Sequence, residues 1–253
     1  VHENEDVDQD KHNATHTPSQ QQLPLFSQRP LLTCVARQSP EKCIERFVSF
    51  VEMAVTTGTG TGSTNMLEQL NVTVVLCGAV ADVNYATQLH TRLLRAVPTA
   101  IIIDRFLSPY ELGAVFAHTI LNFHPPSYDA YGMTVVEAAS FGAPSVVAGP
   151  SIGSYRLLGR NGCIQVDMKG NSNTMCSATR DSLTIITKFL TKCKHNEMIW
   201  KQLSLNAQEK ALGWDEESYW KKLLDIIDTY SKNNSKKEKN QILIPPPPPP
   251  PHY

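Results

Sequence analysis

The chain has 253 residues, of which 41% are hydrophobic and 19% charged, with a formal net charge of -1. This balance carries no electrostatic footprint for nucleic acid or an anionic membrane, and the longest apolar run, Val72 to Ala81, is too short to span a bilayer. The six cysteines show no C-x-x-C spacing and read as small hydrophobes in a reduced compartment, cytoplasmic or on the cytosolic face of a membrane. Residues 1–30 are polar until Leu23, Leu25 and Phe26, which predicts a disordered lead-in. The chain opens on Val1 rather than Met, so it is read as a piece of a longer protein.

From residue 31 apolar runs alternate with helical patterns. Leu31–Ala36 predicts a strand and Glu41–Val55 a helix with Ile44, Phe47, Val48 and Val51 on its apolar face. Thr57 to Ser63 is a glycine-rich insertion without the Lys-Ser/Thr ending of a phosphate loop, so it is given no nucleotide role. Val72–Cys77 predicts a strand, Tyr85–Val97 a helix and Ala100–Ile103 a strand. Ser108, Pro109 and Glu111 carry the start signals of a helix over Pro109–Ala117. Strands at Thr119–Phe123, Ser145–Ala148 and Gly162–Val166 follow, with a helix at Gly132–Phe141 and further helices near 179–194, 196–212 and 215–230. His90 and His118 read as ordinary helix residues.

Short apolar strands alternating with helices imply an α/β domain over residues 31–230, a doubly wound, Rossmann-like parallel sheet covered on both faces. Ligands of such sheets sit at the carboxyl ends of the strands. Residues 231–253 form a Lys/Asn-rich tail that closes on Pro245 to Pro251, a run that must be extended polyproline II. It reads first as a solvated low-complexity tail, and second as a ligand for a polyproline-binding protein.

The segment from Pro126 to Ala139 carries the chemistry. Asp129 lies in a Pro/Ser/Tyr loop, Gly132 opens a helix, and Glu137 is a lone carboxylate on an otherwise apolar helix. An unpaired charge on a packed helix is costly, so Glu137 is expected to face a site and meet hydroxyls or amides there. The first amides of that helix form an anion-binding terminus. From the residues alone, Arg37 and Lys42 fit a solvated loop and a first helical turn. Asp129 fits a loop cap as well as a hydroxyl contact. His124 fits either a site lining or an ordinary loop histidine.

Four segments, in this order, resemble the C-terminal domain of retaining GT-B glycosyltransferases of the group 1 (GT4-like) family. Val35 to Lys42 is similar to the family's G-R-x-x-x-x-K turn, and Leu76-Cys77-Gly78 to its strand-ending glycine step. Pro126 to Glu137 resembles P-S-x-x-E-x-(F/Y)-G-x-x-x-x-E-A, continued by Gly142 to Val147, and Gly213-Trp214-Asp215 resembles the terminal tryptophan helix. The resemblance implies a donor domain that binds a nucleotide-diphosphate sugar and transfers the glycosyl group with retention, within a larger two-domain enzyme. Arg37 and Lys42 would hold the diphosphate, Glu137 the ribose hydroxyls and Asp129 the sugar. Gly78 and the Tyr131, Gly132, Met133 and Thr134 amides would border the donor, with Tyr131 a packing aromatic that offers its backbone. No metal or other cofactor is implied, and the acceptor, base and sugar stay open. The alternative is a non-catalytic nucleotide-sugar-binding or scaffold module that recruits partners through its polyproline tail. Ala36, Asp129 and Arg156 stand where the family has glycine, glutamate and an acid.

Overall fold

The computed structural model describes residues 25–56, 65–168 and 175–213, and part of 217–232. Six strands, β1 (Leu31–Val35), β2 (Thr73–Cys77), β3 (Ile101–Ile103), β4 (Thr119–Phe123), β5 (Ser145–Val147) and β6 (Cys163–Gln165), form one sheet in the order β3-β2-β1-β4-β5-β6. Every pairing is parallel, as the alternation of strands and helices in the sequence implies. Sequence order runs one way from β1 and the opposite way from β4, so the reversal falls between these two central strands. That is where open α/β sheets leave a crevice at the carboxyl edge.

Side chains alternate across each strand and sort the core into two faces. Leu32, Cys34, Val74, Leu76, Leu121 and Phe123 meet helices α2 (Glu45–Thr56), α3 (Met66–Leu70), α4 (Val83–Ala96) and α8 (Met175–His195). The Phe47 and Phe50 rings of α2 lie 5.6 and 5.4 Å from that of Phe123, and full burial of each such ring is worth roughly 1.5–3 kcal/mol. On the other face Val35, Val75, Cys77 and Val147 meet α5 (Pro109–Ala117), α6 (Met133–Ser140), α7 (Gly153–Leu158) and α9 (Glu197–Leu212). A buried polar thread crosses the central strands. Thr33 Oγ1 donates to Asn122 Oδ1 at 3.3 Å, and Asn122 Nδ2 donates to Ser145 Oγ at 3.0 Å.

The start signals of α5 form a capping box, with Ser108 Oγ accepting from the Glu111 amide and Glu111 Oε2 from the Ser108 amide. Three differences from the sequence reading matter. The expected helix over Glu41–Val55 is split: Pro40–Lys42 is a 3-10 turn, Cys43 turns left-handed at φ 50°, and α2 begins only at Glu45. The segment around Arg156, assigned to no element from the sequence, is the helix α7. Residues 25–30 belong to the folded body rather than to a lead-in. Leu25 is buried in α1 (Leu25–Gln28), and Arg29 donates to the Phe116 and Phe141 carbonyls with its guanidinium 4.8 Å from the Trp200 ring. The Thr57–Ser63 insertion, the Trp214–Asp215 step and the polyproline run lie outside the described residues.

Candidate functional site

The loop after β1 is built on Gln38, which is fully buried. Its amide donates to Ala79 O and its carbonyl accepts from the Ala81 and Asp82 amides, so it is stitched to the loop after β2. Its side-chain Nε2 donates to Gly78 O at 2.8 Å, which leaves Oε1 to accept from His90 Nε2 at 2.7 Å. Gly78 itself (φ 148°) is pressed against this loop: a Cβ there would fall 1.9 Å from Ala36 O. Gly78 thus has a packing reason to be glycine. Arg37 points to solvent and donates to Glu41 Oε1 at 2.7 Å, an exposed i,i+4 pair of small energetic value. Lys42, carried by the 3-10 turn, points across the crevice instead.

The loop after β4 comes to meet it. Lys42 Nζ donates to Asp129 Oδ2 at 2.8 Å, joining residues that stand 87 apart in the chain. The other oxygen, Oδ1, accepts from the Tyr131 and Gly132 amides at 3.2 and 2.9 Å. Asp129 is therefore both the loop cap and an ion-pair partner, and those two amides are directed at its carboxylate. Met133 and Thr134, the first residues of α6, supply the helix-start amides that have no intrahelical acceptor. The buried His124 ring, at 3.5 Å from Asp129 Oδ2 and so longer than a formed hydrogen bond, helps hold this carboxyl far below the usual carboxylate range. Lys42 and the Gly132 and Tyr131 amides act in the same direction, and burial opposes them.

Gly132 adopts φ 64°, and a Cβ would lie 2.8 Å from Ser154 Oγ and 2.9 Å from Ile152 Cγ2. The loop is closely docked on the segment that starts α7: Gly153 N donates to Asp129 O at 2.9 Å and Ser154 N to Tyr131 O at 2.8 Å. Arg46 of α2 donates to Pro125 O at 2.9 Å from the other side. The Tyr131 ring is half exposed rather than packed. A cleft of about 460 Å³ opens beside this turn, bordered by Tyr131, Val136, Ser154, Arg156 and Leu157. Lys42, Asp129 and Glu137 lie outside its lining.

Glu137 is half-buried on α6, and among the described residues no hydrogen bond or ion pair engages its carboxylate. Burial alone pushes its pKa up. A carboxyl whose pKa is higher in the folded state costs nothing below its unfolded pKa, about 4.3, and costs stability as pH rises through the folded value. Glu137→Gln is therefore expected to melt slightly above the parent at pH 7, with the difference closing near pH 4. A lower melting temperature for the variant at pH 7 would mean that the carboxylate has a stabilising partner in the fold.

The structure thus brings together Lys42 and Asp129, leaves Glu137 unpartnered among the described residues about one turn into α6, and sets Arg37 aside with Glu41. Gln38 and Arg46 went unnoticed in the sequence; each is one polar residue in a loop or helix start, without a spacing that marks it. Among the described residues no group of three or more His, Cys, Asp or Glu side chains is placed to hold a metal ion, and no helix is long and apolar enough to cross a membrane.

No protein-family profile and no curated protein sequence matches the chain. Solved structures do. Anabaena HepE (Alr3699), determined in complex with UDP and glucose, superposes with a TM-score of 0.59 at 15% identity, covering 81% of this chain and 49% of that one. The pneumococcal O-GlcNAc transferase GtfA, in complex with UDP and GlcNAc, gives a TM-score of 0.58 at 14% identity over 81% of this chain and 37% of its own. The C-terminal domain of the group 1 glycosyl transferase LpcC from Francisella tularensis gives 0.54 at 11% identity, over 73% of this chain and 85% of that domain. The chain spans about half the length of HepE. Its fold is that of the C-terminal domain of GT-B glycosyltransferases.

Proposed function

We propose that this domain binds a nucleotide-diphosphate sugar and serves as the donor half of a retaining glycosyltransferase. The observation that carries the reading is the meeting of Lys42 and Asp129 at the point where strand order reverses, with Glu137 unpartnered on the adjoining helix. Structures of the same fold hold UDP with glucose or GlcNAc, which supports the ligand class. In this reading the Lys42 ammonium moves to the diphosphate, joined by Arg37 once it leaves Glu41, and both stabilise charge on the leaving group. Glu137 accepts hydrogen bonds from both ribose hydroxyls, and Asp129 accepts from the transferred sugar. The Met133 and Thr134 amides face sugar or phosphate oxygens at the start of α6. The glycosyl bond breaks toward the diphosphate and an acceptor hydroxyl attacks from the same face, giving its proton to the departing diphosphate, so the configuration is retained. The acceptor site is assigned to the second domain of a two-domain enzyme.

Calorimetric titration of the chain with UDP-, GDP- and ADP-glucose tests the donor site. Saturable binding of at least one, competed by the matching nucleoside diphosphate, is expected. Absence of heat and of competition for all three would overturn the reading.

A further inference from the structure

His124 follows the last residue of β4 and is 3% exposed. Its Nε2 faces Asp129 Oδ2 at 3.5 Å and has no formed hydrogen bond, although the atom is fully buried. An ionised carboxylate can only accept, so an Nε2 directed at it carries the hydrogen. In the neutral ring Nδ1 is then the acceptor, and it receives the Thr134 hydroxyl at 3.4 Å. A buried N–H without a partner is costly to leave in place, and this one stands just short of bonding distance to the residue proposed to hold the sugar. Asp129 meanwhile spends Oδ2 on Lys42 and Oδ1 on the Tyr131 and Gly132 amides. When Lys42 moves to a diphosphate, Oδ2 loses its hydrogen-bond donor and stands largely buried beside His124.

Resting on the donor-site reading above, we infer that His124 is a positioning residue: its Nε2–H closes on Asp129 as Lys42 departs and keeps the carboxylate aimed at the sugar. Two other charged groups stand near this loop: Arg46, whose guanidinium donates to the Pro125 carbonyl, and Arg156, which borders the cleft beside Tyr131. The remaining polar neighbour is Ser154, whose buried Oγ lies across Gly132 from the imidazole and has no hydrogen-bond partner. No other described cation lies within ion-pair distance of Asp129. His124 is thus the donor positioned to replace Lys42.

The test compares affinities for UDP-glucose and for UDP in the intact chain, because only the first involves Asp129. His124→Gln keeps an N–H at the Nε2 position, whereas His124→Asn keeps a polar partner for Thr134 and withdraws the donor facing Asp129. His124→Gln is expected to preserve the preference for UDP-glucose over UDP. His124→Asn is expected to reduce it about tenfold, with UDP affinity changed less than about twofold. Equal losses for both ligands would indicate a merely structural residue and overturn the inference, as would an unchanged preference in His124→Asn. A parent chain that binds UDP-glucose no better than UDP overturns it too, since Asp129 then makes no sugar contact. A parent chain that binds no nucleotide sugar at all overturns the donor site itself.

Discussion

Glu137→Ala is expected to lose nucleotide-sugar affinity about 100- to 10,000-fold. A carboxylate that accepts from two neighbouring ribose hydroxyls makes two charge-assisted hydrogen bonds, each worth about 1.5–3 kcal/mol, and alanine removes both. The fold gives no other use for this charge: no described partner holds it and burial raises its pKa. Two measurements separate this from damage to the fold. Calorimetry reads the affinity, and a thermal melt of the same preparation is expected to agree with the parent within about 2 °C, since only a half-buried side chain is trimmed. The nucleoside diphosphate alone is expected to weaken as much as the nucleotide sugar, because the ribose is common to both. A loss smaller than about fivefold would remove Glu137 from the site.

The second large effect is structural. Gly78→Ala places a methyl group 1.9 Å from Ala36 O, a backbone atom at the end of the central strand β1. Neither side is flexible. Ala36 N donates to Cys77 O, Gly78 N donates to Ile103 O, and Gly78 O accepts from the Gln38 side chain. Relief of the clash must separate β1 from β2 or break these bonds, so the variant is expected to lose at least about 3 kcal/mol, or roughly 6–12 °C in melting temperature. Thermal denaturation monitored by circular dichroism measures it. A shift below about 2 °C would show that the two loops slide apart easily. Because the strained junction is the base of the loop that carries Arg37 and Lys42, nucleotide binding by any folded fraction is also expected to weaken.

The strands were legible because each pairs a short β-branched or apolar run with flanking turn residues, and Thr119–Phe123 is bounded as the pattern predicts. The same holds for α5, whose Ser108, Pro109 and Glu111 are local signals with local effects. Elements set by only a few residues escaped. In α3 the Asn65 side chain caps the Glu68 amide and Asn71 closes the turn left-handed, a signal present in the sequence but spread over seven residues. The left-handed Cys43 has no sequence mark, because cysteine rarely takes that conformation. In the site, the Asp129–Glu137 segment stood out by its odd chemistry. The contact between Lys42 and Asp129 did not, because proximity across 87 residues is a product of sheet topology and not of local pattern. Ala36, where the turn it resembles has glycine, is buried in the main core cluster, and the backbone crowding falls on Gly78 instead.

Gln38 has a consequence beyond its own bonds. It fixes the loop after β1 through one backbone donor, one backbone carbonyl shared by two amides, and both ends of its side chain. The two loops at its sides therefore behave as one stiff plate, and the conformational entropy of the turn leading to Lys42 is surrendered when the chain folds. A ligand arriving at the crevice then has only side chains to immobilise, so more of each contact survives as affinity.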